Sequence, residues 1–244
     1  MADITSVVKN PEVAELSPIL LEAIADPANK TKAALEVLLS CEFMHSIDAP
    51  SLALLIPVLS RALRDRSADL KRKSSAIMGN ITGMLSEPKI ICPYLPQILP
   101  GLKSSLLDPI PDVRTMSAKA LGSLMGGVGE EECDDIVPWL LDTLQADDSP
   151  VERSGAAQGL AEVSLVLGAA RLRSILAQAI TYQTSTRSAA REGLLWLLSF
   201  LPAVLHEAFA EHIPATLPVI LVGLSDGNEA VREVAMRSGR IMVV

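Results

Sequence analysis

Apolar residues recur at intervals of three and four along most of the chain, the period of a helix with one buried face. Within Val113–Met125 the apolar positions are Val113, Met116, Ala120, Leu121 and Leu124. Gly126-Gly127-Val128-Gly129 follows, and glycine accepts the left-handed geometry that ends a helix. A second helix is predicted over Asp134–Leu144, on Ile136, Val137, Leu140, Leu141 and Leu144. Asp147-Asp148-Ser149-Pro150 then closes the pair and supplies capping chemistry for the next helix. No stretch alternates polar and apolar residues cleanly between turn signals, so no strand competes.

This pattern returns about every forty residues. Five aspartates end similar apolar segments: Asp26, Asp65, Asp108, Asp147 and Asp226. Their first three spacings are 39, 43 and 39; the last, 79, is two periods, with Ser185 near the midpoint. A proline stands eight residues before the aspartate at Pro18, Pro57, Pro100 and Pro218, and nine before it at Pro138. A basic residue stands six after it at Lys32, Lys71, Arg114, Arg153 and Arg232, and Arg191 keeps that offset from Ser185. One such hairpin cannot bury its apolar face alone, whereas stacked neighbours can. The expected fold is therefore all-α, an α-solenoid (superhelix) of about six stacked helical hairpins in a single array. Its units are expected at about 1–26 (partial), 27–65, 66–108, 109–147, 148–185, 186–226 and 227–244 (partial). Irregular packing is expected where Ala177 and Ser185 replace the proline and aspartate, and at Thr31, which stands where an aliphatic residue is usual. The apolar run Ile241-Met242-Val243-Val244 leads to the expectation of a fragment of a longer solenoid, with a self-associating end as the alternative.

Composition narrows the function classes. The 244 residues hold 21 Lys+Arg and 29 Asp+Glu, a formal net charge of −8. That argues against a general nucleic-acid or DNA binder, since phosphate binding is driven by many cations; a local basic patch is still allowed. Aromatics are 3% against 49% hydrophobic residues, so the core must be aliphatic. Mean hydropathy is +0.35. The longest charge-free apolar stretches, Gly193–Leu205 and Ile213–Ser225, contain prolines and fall short of the roughly 20 residues of a bilayer span, so no membrane role is expected. The Met1 region carries no signal-peptide core. Cys41, Cys92 and Cys133 read as buried reduced thiols, with no disulfide scaffold or CxxC zinc pattern.

The Asp/basic ladder reads as structural, because a catalytic residue would not need repeating in every unit. A carboxylate at each turn can accept backbone N–H bonds and suits the positive end of the helix dipole. Arg61, Arg64, Arg66, Lys71, Arg72 and Lys73 form the one dense basic cluster, opposed only by Asp65 and Asp69, a local excess of +4. Such a patch can meet the phosphates of ribosomal RNA, or simply be a solvated turn. No aromatic residue interleaves it, which argues against base stacking. The acidic run Glu130–Glu132, Asp134 and Asp135 reads as the charged start of a helix rather than a calcium loop. There is no phosphate-binding loop, GxSxG elbow or HExxH, so no enzyme, metal, cofactor or small-molecule substrate is expected. Trp139 and Trp196 lie in apolar stripes and read as core.

The recurring proline, the aspartate eight later, then the aliphatic and basic residues resemble the HEAT repeat over essentially the whole chain. Narrower stretches add to this. Ile47-Asp48-Ala49-Pro50-Ser51-Leu52-Ala53-Leu54-Leu55-Ile56-Pro57, Arg66-Ser67-Ala68-Asp69-Leu70-Lys71-Arg72-Lys73, Leu107-Asp108-Pro109-Ile110-Pro111-Asp112-Val113-Arg114 and Val151-Glu152-Arg153-Ser154-Gly155-Ala156-Ala157-Gln158-Gly159-Leu160 are similar to the HEAT region of the fungal elongation factor three family. They are still more similar to the related segment of the General Control Nonderepressible one family, giant HEAT proteins that activate the kinase of initiation factor two alpha under amino-acid starvation. The resemblance implies a cytoplasmic scaffold segment that associates with ribosomes and with other proteins of the translational stress response. The family's kinase-binding region lies further toward the C-terminus and has no counterpart here, nor have the ATPase cassettes of the elongation factor. Two function classes stand: this ribosome-associated scaffold, and a general HEAT adaptor that grips a protein partner on its concave surface without ribosome contact.

Overall fold

The computed structural model describes residues 7–147 and 149–243, Val243 by its backbone alone. Met1–Ser6, Asp148 and Val244 lie outside the described residues, and with them the expectations that rest on Met1, Asp148 and Val244. Twelve α-helices account for most of the described chain: α1 (Pro11–Ala25), α2 (Pro27–Ser40), α3 (Ala49–Ala62), α4 (Ala68–Thr82), α5 (Leu95–Leu106), α6 (Pro111–Val128), α7 (Ile136–Leu144), α8 (Pro150–Leu167), α9 (Ala169–Ile180), α10 (Ser188–Leu205), α11 (Ile213–Gly223) and α12 (Glu229–Val243). The only extended pairing among the described residues is an isolated bridge between Ile47 and Leu85.

Three helices, α1, α3 and α8, start with a short polar acceptor followed by proline, whose missing N–H is harmless in the first turn. Asn10 Oδ1 accepts the Val13 N–H at 2.7 Å ahead of Pro11. Ser149 Oγ accepts the Glu152 N–H at 3.4 Å ahead of Pro150. Asp48 caps α3 in the same way, and Ser67 caps α4 without a proline. The recurring aspartates sit in the turns between α1 and α2, α3 and α4, α5 and α6, α7 and α8, and α11 and α12. The recurring prolines at Pro18, Pro57, Pro100 and Pro218 lie inside the helices that lead into those turns.

The chain divides into two compact units, Met1–Ser105 with Ile110–Glu132, and Leu106–Pro109 with Cys133–Val244. In the first, α1 pairs with α2 and α3 with α4; α1 packs on α3, and α2 and α6 flank α4. Helices before the aspartate turns and helices after them thus form separate layers. In the second, α7 pairs with α8 and α11 with α12, while α8, α10 and α12 pack side by side. The cores are aliphatic, with Leu52, Leu55, Leu59, Ile77 and Ile81 in one and Leu140, Leu144, Leu160, Leu194 and Leu198 in the other. Each such side chain contributes about 1.5–3 kcal/mol on burial. Some buried hydroxyls bond between helices: Ser75 and Ser117 share a 3.0 Å bond, and Ser238 Oγ donates to the Leu195 carbonyl at 2.8 Å. Thr31 fits its buried position because its hydroxyl donates back to the Pro27 carbonyl at 2.7 Å.

Several local expectations are corrected. Gly126 and Gly127 lie inside α6, and it is Gly129, at φ 88°, that ends it. Glu130–Glu132 form a 3-10 turn with Cys133, and α7 begins only at Ile136. Similar 3-10 turns lead into α5 and α11. The apolar stretches near residues 193–205 and 213–225 belong to one helical run, Ser188–Gly223, that is long enough and apolar enough to cross a bilayer. Length therefore does not decide that question. His206 interrupts the run at φ 52°, and α10 buries Leu194, Leu195, Leu197 and Leu198 against its neighbours.

Candidate functional site

Each ladder arginine lies in the first turns of a helix that follows an inter-repeat turn, marked by aspartate or, before Arg191, by Ser185, so its guanidinium can reach back to that turn. Arg191 Nη1 donates to the Ser185 carbonyl at 2.7 Å, and its Nε and Nη2 form a fork on Asp226 at 2.6 and 2.9 Å. Arg232 Nη1 donates to the Asp226 carbonyl at 2.7 Å. Arg153 Nη1 donates to the Ala146 carbonyl at 2.8 Å, and Nη2 reaches Glu192 at 2.7 Å, with both side chains 7% exposed. A planar fork is suited to such double duty. The bonds from Arg191 hold the Asp226 carboxyl below its ordinary range and raise the guanidinium in turn.

The aspartates do not act as uniform caps. Asp65 and Asp226 accept the backbone N–H two residues on, at 2.8 Å each, while Ser67 and Asn228 take the cap position. Asp26 holds the Asn29 amide at 2.9 Å and makes no side-chain bond to the backbone of α2. Asp147 pairs with Arg187 at 3.4 Å. Asp108 is buried, two residues before Ile110, which takes the cap position of α6 without a side-chain bond. Arg114 is buried at the start of α6, while Lys32 is exposed on α2.

The basic cluster separates into two groups. Arg61, Arg64 and Arg66 are exposed around the end of α3 and the turn after it. Arg61 Nη1 donates to the Ala23 carbonyl at 3.4 Å and Arg64 Nη2 to the Gln97 carbonyl at 2.8 Å. These bonds aim the guanidiniums along the layer of α1, α3 and α5. Arg61, Arg64, Asp65 and Gln97 line an open hollow of about 470 Å³. None of the three arginines is ion-paired among the described residues. Arg72 and Lys73 sit on α4, in the other layer. Lys73 bonds Asp69 at 2.7 Å and Glu36 at 3.5 Å, and Arg72 bonds Asp69 at 3.1 Å. Lys73 first, then Arg72, pull the Asp69 carboxyl below its usual range. Lys71 is half-buried beside them. Sequence spacing counted all six cations together; Asp69, one helical turn before Arg72 and Lys73, engages those two, and Glu36 on α2 adds a second partner for Lys73.

Other expectations also shift. Trp139 and Trp196 are half-buried rather than core. Cys133 is buried, but Cys41 and Cys92 are partly exposed. His45 is exposed and pairs with Glu12 at 2.7 Å. Among the described residues no three His, Cys, Asp or Glu side chains converge as metal ligands.

The comparisons with known proteins fall on the same architecture. Residues 28–135, which include the whole basic cluster, match the model of the elongation factor 3/GNC1 HEAT repeat. The full chain is 44% identical to a segment of the eIF-2-alpha kinase activator GCN1 of Dictyostelium discoideum. Over 245 aligned residues it is 43% identical to the human stalled ribosome sensor GCN1. It spans 9% of the length of each of these relatives. Among solved structures, the karyopherin Kap121p overlays 98% of this chain with 26% of its own, at a TM-score of 0.58 and 17% identity, a likeness of fold alone. With this full-length identity and the stacked hairpins, the chain belongs to the elongation factor 3/GNC1 HEAT-repeat family, as a homologue of a segment of the GCN1 proteins.

Proposed function

We propose that this chain is a non-catalytic HEAT-repeat scaffold segment that associates with ribosomes in translational stress signalling, where the whole protein serves activation of the initiation factor two alpha kinase under amino-acid starvation. The reading places the chain in the cytoplasm, in contact with ribosomal protein and ribosomal RNA. Its relatives' names, a stalled ribosome sensor and a kinase activator, support the setting. The observation that carries it on this chain is the group Arg61, Arg64 and Arg66. These are exposed, unpaired guanidiniums inside the family-matched residues 28–135 of an otherwise acidic chain. Two of them are pre-aimed by neighbouring backbone carbonyls, which lowers the entropy lost on meeting a phosphate.

Cosedimentation with ribosomes through a sucrose cushion, across a salt series, tests the proposal. The wild-type chain is expected to pellet at low salt and be released as salt rises. A variant with Arg61, Arg64 and Arg66 changed to Glu is expected to remain in the supernatant while keeping its helical circular dichroism. A folded wild-type chain that stays in the supernatant at low salt contradicts the proposal.

A further inference from the structure

A second surface lies on the other unit. Trp196 and Phe200 stand one helical turn apart on α10, with ring centroids 5.9 Å apart and planes inclined by 16°. Trp196 Nε1 donates to Glu192 Oε1 at 3.0 Å, and the other oxygen of that carboxylate accepts from Arg153 on α8 at 2.7 Å. From α12, Arg237 places its guanidinium carbon 5.1 Å from the indole centroid. Three adjacent helices therefore lock one indole in place. The register repeats: Trp196 and Arg237 each stand five residues after a ladder arginine, Arg191 and Arg232. Yet the rings are not core. Trp196 and Phe200 are only partly buried, whereas Phe209 in the same unit is 4% exposed.

We infer that this face, centred on Trp196, Phe200 and Arg237, is a docking site for an acidic protein segment that carries an apolar anchor. Arg237 and Arg240 are exposed and neither is ion-paired among the described residues, although the chain carries a net charge of −8. Arg237 offers an incoming carboxylate an unopposed cation beside rings that can take an aliphatic or aromatic side chain, while Arg240, three residues on, donates to Met236 Sδ at 3.4 Å. Rigid Trp and Arg side chains are the residues that dominate protein interfaces, since little freedom is left to lose on contact. A nucleic acid fits less well. The π-system of the indole is already engaged by Phe200 and Arg237, which leaves little for a base to stack on. The inference is independent of the ribosome reading, because its residues lie more than 120 positions from Arg61–Arg66.

Fluorescence anisotropy with the full chain tests it. The probe is a fluorescein-labelled peptide of sequence EEDLFDDLEE. Its controls have Ser for the Leu and Phe residues, or Lys for every acid; a labelled oligouridine is the fourth ligand. The apolar-acidic peptide is expected to bind, and each peptide control to bind roughly tenfold more weakly or not at all. Arg237→Glu, a surface change, is expected to weaken the binding roughly tenfold, and Trp196→Ala at least as much. Arg61→Glu/Arg64→Glu is expected to leave it unchanged, so failure here is separable from failure at the ribosome. Absence of binding, equal binding of the acidic and basic peptides, or preference for oligouridine overturns the inference.

Discussion

At the scale of single residues, Arg153 and Arg191 join helices through carboxylates that are largely shielded from water, so removing one partner strands the other. Glu192→Ala leaves Arg153 at 7% exposure without its carboxylate and takes the acceptor from Trp196. The expected cost is about 3–5 kcal/mol, and Glu192→Gln, which keeps an acceptor, should cost less. Urea denaturation that ranks the two variants equally would contradict this account. Asp226→Ala removes the fork on Arg191, whose side chain is 21% exposed, so its expected cost is lower, about 2 kcal/mol. That corresponds to a Tm lower by roughly 4–8 °C. The pH dependence follows from the depressed carboxyl of Asp226 in the folded chain. Its contribution is complete above the unfolded value of about 3.9 and is lost as the pH falls toward the lower folded value. Comparing wild type with Asp226→Asn between pH 7 and pH 3 checks the sign: the wild-type advantage should shrink as acid is added. A constant gap across that window would remove Asp226 from the account. None of these partners was legible beforehand. Offsets within a repeat locate Arg191 and Asp226, but only stacking shows that they meet across 35 residues.

Helices and turns were far more legible. The aspartate turns and the helical stripes mark where one hairpin ends and the next begins, because each signal acts locally on the backbone it marks. The 3-10 turns at Pro88–Tyr94, Glu130–Cys133 and His206–His212 were missed. Over four to seven residues, a period of 3.0 is not separable from 3.6 by apolar spacing. The role of individual glycines was misjudged for another reason. Gly129 needs its positive φ, but Gly193 is required by close approach, since a Cβ there would collide with the Leu144 carbonyl oxygen. Gly193→Ala therefore pushes backbone against backbone between α10 and α7, at an expected cost of about 3 kcal/mol. At Gly159 a Cβ would meet Leu106 Cδ2 at 2.7 Å and Leu140 Cδ2 at 3.1 Å, the movable ends of side chains. The gain in helix propensity, about 1 kcal/mol, offsets much of that crowding, so Gly159→Ala should stay within about 1 kcal/mol of wild type. Chemical denaturation of both variants measures the difference, and the reverse order would show that α7 and α10 can part more easily than their geometry implies.

At the scale of the whole molecule, charge decides what a ribosome contact can look like. A chain of net charge −8 is repelled by RNA except where a local field outweighs the average. Counting the cluster along the sequence gives six cations, and six phosphate contacts would produce a salt slope near −4 to −5 in log affinity against log salt. The structure changes that count. Arg72 and Lys73 already share Asp69, and Lys73 also reaches Glu36, so meeting a phosphate would first require leaving a carboxylate; Lys71 is half-buried beside them, which leaves three of the six. Arg61, Arg64 and Arg66 carry no such debt. Three contacts give a slope of about −2 to −3, depending on whether the RNA is single- or double-stranded. The expected result is therefore a shallow salt dependence. Arg61→Ala/Arg64→Ala should flatten it further by roughly 1 to 2, because two counterion-releasing contacts are gone. Arg72→Ala/Lys73→Ala should leave the slope nearly unchanged, although it frees Asp69 and Glu36 to repel RNA and can lower the affinity itself. Affinity measured at four or more salt concentrations separates slope from intercept. A steep slope that collapses in the Arg72/Lys73 variant would move the contact from the layer of α3 to the layer of α4.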